Sequence, residues 1–389
     1  MKNIKIGNSS FIKNLNQSSI FRLINDYGPI SRKELSEKTG YSAGTISNHV
    51  KTLIKEGFVI EKEKGISSGG RRPVFLTINP NKGYIFGVNI EVKKVKIIMF
   101  NLKLKVEKKQ MFTLNRQKGP YEVLNDIIDF IKNIMEKKNV NSKDIIGIGF
   151  AVPGLVTKNR SVLKFAPNLA WNDVTIRKHV NSKLKIPILV ENEANAAALG
   201  EKDFNYDNMI DMVYVSINEG IGCGLIVNGK LHRGESGNAG EFGHIIIDSE
   251  SDRVCHCGNI GCWETLASTN YIYDMYRKTT NENINNIELI QDKLIDDKDI
   301  LNIFSDVGEN IGIGLANIIN SLSPKLMVIG GNILKIKKYI DSSIQKSVRE
   351  KTLSLNYDKV EIKYSTLGEL ATVYGIAKII FDENMLVNQ

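Results

Sequence analysis

At 389 residues and 42% apolar content, the chain is long enough for two or three domains. Four cysteines in such a length exclude a disulfide framework and fit a reducing cytoplasm. No signal peptide or membrane span is expected: the first ten residues are polar, and the longest apolar stretch, around Ile145 to Val156, is broken by Gly and Pro. The net charge of +9 is unevenly spread. Residues 1–80 carry +7 and the other 309 only +2, so a small basic module on a nearly neutral body points to a polyanion partner.

Ile12, Leu15, Ile20, Leu23 and Ile24 recur at helical spacing until Gly28-Pro29 stops the pattern. Ser31-Arg-Lys-Glu34 reads as a capping box opening a short helix that ends at Thr39-Gly40. Ser42 caps a further helix with Ile46, Val50, Leu53 and Ile54 on one face. Two helices joined by a tight Gly turn make a helix-turn-helix. The second helix is the expected reader. Ser42, Thr45, Ser47, Asn48, His49 and Lys51 are small or hydrogen-bonding side chains suited to bases and phosphates. Strands at 58–62 and 74–78 then form a hairpin wing, whose basic tip carries Arg71 and Arg72 for a minor groove or phosphates.

A polar linker, Asn79–Gly83, leads to an α/β body. Strands are expected at 84–91, 95–101 and 104–112, then a helix at 121–137 and buried strands at 145–150 and 188–191. A second cycle opens with strands at 212–217 and 224–227. Strands, then helical crossovers, then a repetition give two similar lobes around a cleft, where ligands bind at strand ends. We expect a DNA-binding domain over 1–80, a first lobe over 81–200 and a second over 201–389, with the C-terminal helix returning to the first lobe. Val152-Pro-Gly154, Ala166–Trp171 with Asn168, Glu191-Asn192-Glu193-Ala-Asn195 and the segment from Glu241 would line the cleft. Asn and Glu together suit sugar hydroxyls, which both donate and accept. Asn192 and Glu193 could equally cap the helix that follows.

The segment from Glu241 to Glu264 is the most specific in the chain. It reads Glu241-x-x-His244, then Cys255-x-Cys257-x4-Cys262-x-Glu264. Thiolates and imidazole are a structural zinc ligand set, and Gly243, Gly258 and Gly261 permit the turns that wrap a metal. Spacing alone leaves the fourth ligand open, because His256 could replace a cysteine. Glu241 and Glu264 would be fixed beside the knot, and His244 could meet zinc with one ring nitrogen and a ligand with the other.

These motifs resemble the ROK family of sugar kinases and repressors. Glu241–Glu264 looks like its sugar and zinc signature, and Glu191–Glu201 like its sugar-binding helix start. Pro29–Leu35 and Gly69–Pro73 look like its repressor branch, nearest to the xylose repressors of low-GC Gram-positive bacteria. The resemblance implies a winged helix-turn-helix followed by a two-lobed actin-like (ribonuclease H-like) body. It implies sugar contacts from Asn192, Glu193, Glu241, His244 and Glu264, with Gly154 and Asn168 beside them. It implies structural zinc on His244, Cys255, Cys257 and Cys262.

The departures separate kinase from regulator. Family kinases open the body with Asp-x-Gly-Gly-Thr, a phosphate cradle; here the stretch is Gly87-Val-Asn89-Ile-Glu91-Val92. The Asp is Asn, the glycines are gone, and Glu91 places like charge where phosphate would lie. The second phosphate loop carries Glu219. Glu193 stands where the kinases have an Asp base, and a base without a cradle has nothing to act with. The expectation is a cytoplasmic, non-enzymatic homodimeric repressor on a pseudo-palindromic operator, released by a monosaccharide, xylose or a glucose-like sugar. The alternatives are a sugar kinase with a DNA-binding head, and a regulator answering to glucose or a protein partner.

Overall fold

The computed structural model describes residues 9–63, 74–293 and 298–385. Arg71 and Arg72 lie outside the described residues. The head comprises α1 (Ser9–Tyr27), β1 (Ile30–Ser31), α2 (Arg32–Thr39), α3 (Ala43–Lys55), β2 (Val59–Glu63) and β3 (Val74–Ile78), with the strands in antiparallel order β1-β3-β2. The capping box forms: the Glu34 amide donates to Ser31 Oγ, and the Ser31 amide donates to the Glu34 carboxylate. Gly40 closes α2 in the left-handed region. Ile20, Ile24, Leu35, Ile46, Val50, Leu53, Val59 and Leu76 make the head's core.

The first lobe contains β4 (Tyr84–Ile90), β5 (Lys94–Asn101), β6 (Val106–Thr113), α4 (Pro120–Lys138), β7 (Ile145–Val152), β8 (Leu155–Val156), β9 (Leu163–Ala166), β10 (Trp171–Val174), α5 (Ile176–Leu184), β11 (Ile188–Asn192) and α6 (Glu193–Asn205). The second contains β12 (Met212–Ile217), β13 (Ile221–Val227), β14 (Lys230–His232), α7 (Trp263–Ala267), α8 (Thr269–Thr280), α9 (Ile287–Lys293), α10 (Lys298–Leu322), β15 (Leu326–Gly330), α11 (Lys337–Lys351), α12 (Ser354–Tyr357), β16 (Glu361–Tyr364) and α13 (Ala371–Met385).

The two sheets run β11-β7-β4-β5-β6 and β14-β13-β12-β15-β16. Each is an antiparallel meander of three strands extended by two parallel ones. The repetition read from the sequence is therefore a duplicated sheet topology. The small sheet β8–β10 lies between β7 and α5 and has no counterpart in the sequence reading.

Two helices bind the lobes together. At the interlobe junction α6 packs on β12 and β13, while α13 packs on β4 and β7. They cross at glycines. A Cβ on Gly200 would lie 2.1 Å from the Ala371 carbonyl oxygen, and one on Gly375 1.7 Å from that of Ala196, so the backbones meet with nothing between them. The far end of α13 reaches the head, where the Phe381 and Phe21 rings lie 6.1 Å apart. One apolar cluster runs from Ile20 and Phe21 through Phe100 and Leu102 to Phe381. Among the described residues, no helix is long and apolar enough to cross a membrane.

Candidate functional site

Gly154, Asn168, Asn192, Glu193, Glu241, His244 and Glu264 all line one cleft between the lobes, about 1070 Å³ with its open mouth included. Gly154, in the turn between β7 and β8, takes φ 104°, where a Cβ would stand 2.2 Å from the Phe165 carbonyl oxygen. Its own carbonyl accepts from Asn192 Nδ2 at 3.0 Å. Asn192 Oδ1 accepts from the amides of Ala194 and Asn195, so the capping reading holds for this residue. One Nδ2 hydrogen remains for a ligand. Glu193, the first residue of α6, faces the cleft beside Glu91 and Glu219. Burial, with those two charges adding and Lys96 opposing, pushes its carboxyl up to about 8. At neutral pH it is a hydrogen-bond donor as well as an acceptor. Burial also raises the Glu241 carboxyl, against the pull of His244 and with the push of Glu264.

The knot beside the cleft gathers one ligand atom each from His244, Cys255, Cys257 and Cys262 within 4.8 Å of one another, a group that could hold a metal ion. His256 is exposed and lies outside that group. His244 Nδ1 faces Cys255 Sγ at 3.4 Å, and its Nε2 faces Glu241 at 3.9 Å. The ring thus divides its two nitrogens between knot and cleft. Glu264 accepts from the Cys255 thiol at 3.1 Å and from the Ile221 amide at 3.4 Å, tying the knot to β13.

Glu91 does carry its charge into the region expected for phosphate, but it is not an isolated charge. Lys96, only 2% exposed, places its ammonium 2.7 Å from Glu91 and 2.8 Å from Glu369, while Lys94 reaches Glu369 at 3.0 Å. Asn89 Nδ2 donates to Glu91 at 2.9 Å. Burial raises the Glu369 carboxyl, yet hydrogen bonds and charge from Lys96 and Lys94 hold it down at about 2. An ion cluster stands at this corner, with Lys96 buried at its centre and Glu369 on its exposed rim. Sequence reasoning missed it because Glu369 comes from 273 residues further along.

Further ion pairs cross between the lobes at the cleft. Lys93 reaches Glu219 at 3.2 Å, and Arg233 grips the buried Glu191 through Nε and a terminal nitrogen at 2.9 and 2.7 Å. Glu191 lines the cleft but is spent on Arg233. No local motif marks Arg233, Lys93 or Lys96.

In the head, Asn48 and Lys51 are exposed, and Ser47 is half-buried on the outer side of α3. Ser42 Oγ accepts from the Thr45 amide and lies 2.9 Å from Thr45 Oγ1, so both hydroxyls already serve the helix start. His49 is a correction. At 8% exposure it is buried, because it falls three residues after Ile46 and four before Leu53, within the packed stripe.

The ROK family model matches residues 85–383, and a winged helix-turn-helix DNA-binding model matches residues 13–60. The chain belongs to the ROK family. Within the family it is similar to the xylose repressor of Bacillus subtilis (strain 168), at 36% identity over 382 residues and 97% of each chain. Its fold is similar to that of a ROK family transcriptional regulator, a homologue of the E. coli MLC protein, with TM-score 0.81, 26% identity, and 96% and 98% of the two chains covered. A ROK family glucokinase from Streptomyces griseus, solved with glucose and AMPPNP, shares the fold of the body at TM-score 0.68 and 24% identity, over 76% of this chain and 99% of its own. The ROK body is thus common to repressors and kinases, and the head distinguishes this chain from the glucokinase.

Proposed function

We propose that this ROK protein is a sugar-responsive DNA-binding repressor of carbohydrate utilisation genes, with xylose as its inducer. The observation that carries the reading is a winged head joined to a sugar-type cleft whose phosphate corner presents Glu91, held from behind by Lys96. Phosphoryl transfer needs that corner open and electropositive, so no kinase activity is assigned. The sugar would lie against Asn168, Asn192, Glu193, Glu241, His244 and Glu264, with neutral Glu193 donating and the other carboxylates accepting.

The knot would hold zinc. Tetrahedral bonds of about 2.3 Å to sulfur and 2.0 Å to nitrogen space two sulfurs roughly 3.8 Å apart and a sulfur and nitrogen roughly 3.5 Å apart. Cys257 and Cys262 Sγ lie 3.7 Å apart, and Cys255 Sγ lies 3.4 Å from His244 Nδ1. Its part is structural, fixing Glu241, His244 and Glu264 in position.

A homodimer would set two α3 helices in successive major grooves of a pseudo-palindromic operator, with Ser47, Asn48 and Lys51 on the DNA side and Arg71 and Arg72 in the wing. Sugar at the start of α6 biases the lobes, α6 bears on α13, and α13 bears on α1. Coupling of about 1–3 kcal/mol weakens operator binding roughly 5–150-fold. Fluorescence anisotropy on DNA from the gene's own upstream region, titrated with xylose, glucose and related sugars, tests the reading. Release by one sugar is expected. Tight binding indifferent to every sugar would move control to a protein partner. ADP release from sugar and ATP would restore the kinase alternative.

A further inference from the structure

The turn between β5 and β6 belongs to the body but is fastened to the head. The Leu102 amide donates to the Pro80 carbonyl at 3.1 Å, and Lys103 Nζ donates to Thr77 Oγ1 in β3 at 2.9 Å. Asn101, 5% exposed, organises the turn by accepting from the amides of Lys103 and Lys105, at 2.9 and 3.2 Å. Leu104 takes φ 51° to complete it.

This places two body lysines on a defined face of the wing. Ile60 pairs with Thr77 and Lys62 with Phe75, so these four side chains share one side of the sheet. Val59, Leu76 and Ile78 occupy the other side, packed into the head's core. Lys62, Lys103 and Lys105 are exposed and meet on the side away from the helices. Two acids nearby in sequence, Glu61 and Glu107, are otherwise engaged. Glu61 pairs with Arg32 at 2.6 Å, and Glu107 pairs with Lys138 at 2.8 Å. Partial burial, then the charges of Lys62 and Lys105, push the Lys103 ammonium below its ordinary range. A rigid turn that holds like charges together works against folding. A bound polyanion reverses the sign of that term. Lys62 is the penultimate residue of β2, and the sequence between β2 and β3 contains Lys64, Arg71 and Arg72.

We infer that the body carries part of the DNA interface: Lys103 and Lys105, with Lys62 of the wing, form a ridge that grips backbone phosphates flanking the bases read by α3. The inference rests on the repressor reading and extends the contact surface beyond the head. Such contacts strengthen binding to any sequence and leave base preference unchanged.

The test is operator affinity by anisotropy across a potassium chloride series, for the full-length wild type, Lys103→Gln/Lys105→Gln and Lys103→Arg/Lys105→Arg. Each phosphate contact contributes about 0.9 to the slope of log affinity against log salt. The Gln pair is expected to lower the slope by about 1–2, to weaken operator and unrelated DNA alike, and to leave the sugar-induced thermal shift unchanged. The Arg pair is expected to keep the wild-type slope. An unchanged slope in the Gln pair, with the wild type binding its operator, overturns the ridge and leaves the repressor reading intact. Wild type that binds no DNA overturns both.

Discussion

Replacing Lys96 by Met tests whether the phosphate corner is a closed ion cluster. The ammonium is 2% exposed and bonds Glu91 at 2.7 Å, the Glu369 carboxylate at 2.8 Å and the Glu369 carbonyl at 3.4 Å. Its loss leaves the Glu91 and Glu369 carboxylates without their shared, buried cation. Breaking a buried pair from one side costs about 3–5 kcal/mol. Lys94 still reaches Glu369 at 3.0 Å and Glu91 at 3.7 Å, and Glu369 is 46% exposed, so solvent screening brings the loss below that range, to about 2 kcal/mol. At roughly 2–4 °C per kcal/mol for units of this size, the melting temperature should fall by about 4–8 °C. Removing the stranded charges as well, in Lys96→Met/Glu91→Gln/Glu369→Gln, should recover most of the loss. Scanning calorimetry of the three proteins decides it. If Lys96→Met melts within a degree of wild type and the triple variant does no better, the corner is hydrated and open, and the argument against nucleotide binding fails with it.

Other perturbations address the remaining parts. Phe381→Leu loosens the seat of α1 on α13 at modest cost in stability, and should preserve operator binding while shrinking the sugar-induced release; anisotropy with and without sugar would show an unchanged ratio if the contact carries nothing. Glu193 titrates at about 8 in the folded protein and at 4.5 when unfolded, so the folded state holds a proton that the unfolded chain loses. Stability should therefore fall as pH rises between those values, by at most about 1.4 kcal/mol per unit. Glu193→Gln should flatten the profile, and denaturant midpoints of equal slope for both proteins would count against it. Metal analysis should find one zinc per chain, and chelation should weaken sugar binding more than operator binding; sugar binding that survives chelation would contradict the structural role.

The readable features were those encoded by neighbours in the chain. Ser31 and Glu34, or Cys255, Cys257 and Cys262, announce their partnership through spacing because a cap and a metal knot are built from short segments. The cleft residues were legible because Asn192 and Glu193 open a helix at the end of a strand. Contacts between distant segments left no such trace. Nothing near Arg233 points to Glu191, and nothing near Lys94 and Lys96 points to Glu369. His49 was misplaced for a different reason: a polar side chain at a core position defeats a reading that assigns faces by polarity.

The glycine crossing of α6 and α13 has a mechanical consequence. With no side chain between them at Gly200 and Gly375, the two rods can turn about that point of contact, which acts as a pivot flanked by the Phe204–Tyr374 ring pair and the Lys378–Asp203 ion pair. Phe381 lies six residues beyond Gly375, a lever arm of roughly 9 Å at 1.5 Å per residue. A swing of about 10°, within the range of known domain rotations, would carry its ring roughly 1.5 Å against α1. Such a linkage transmits the extent of closure and is blind to the chemistry that caused it. The same head can then serve different sugars through changes confined to the cleft, and a repressor lineage can alter its inducer without rebuilding its response.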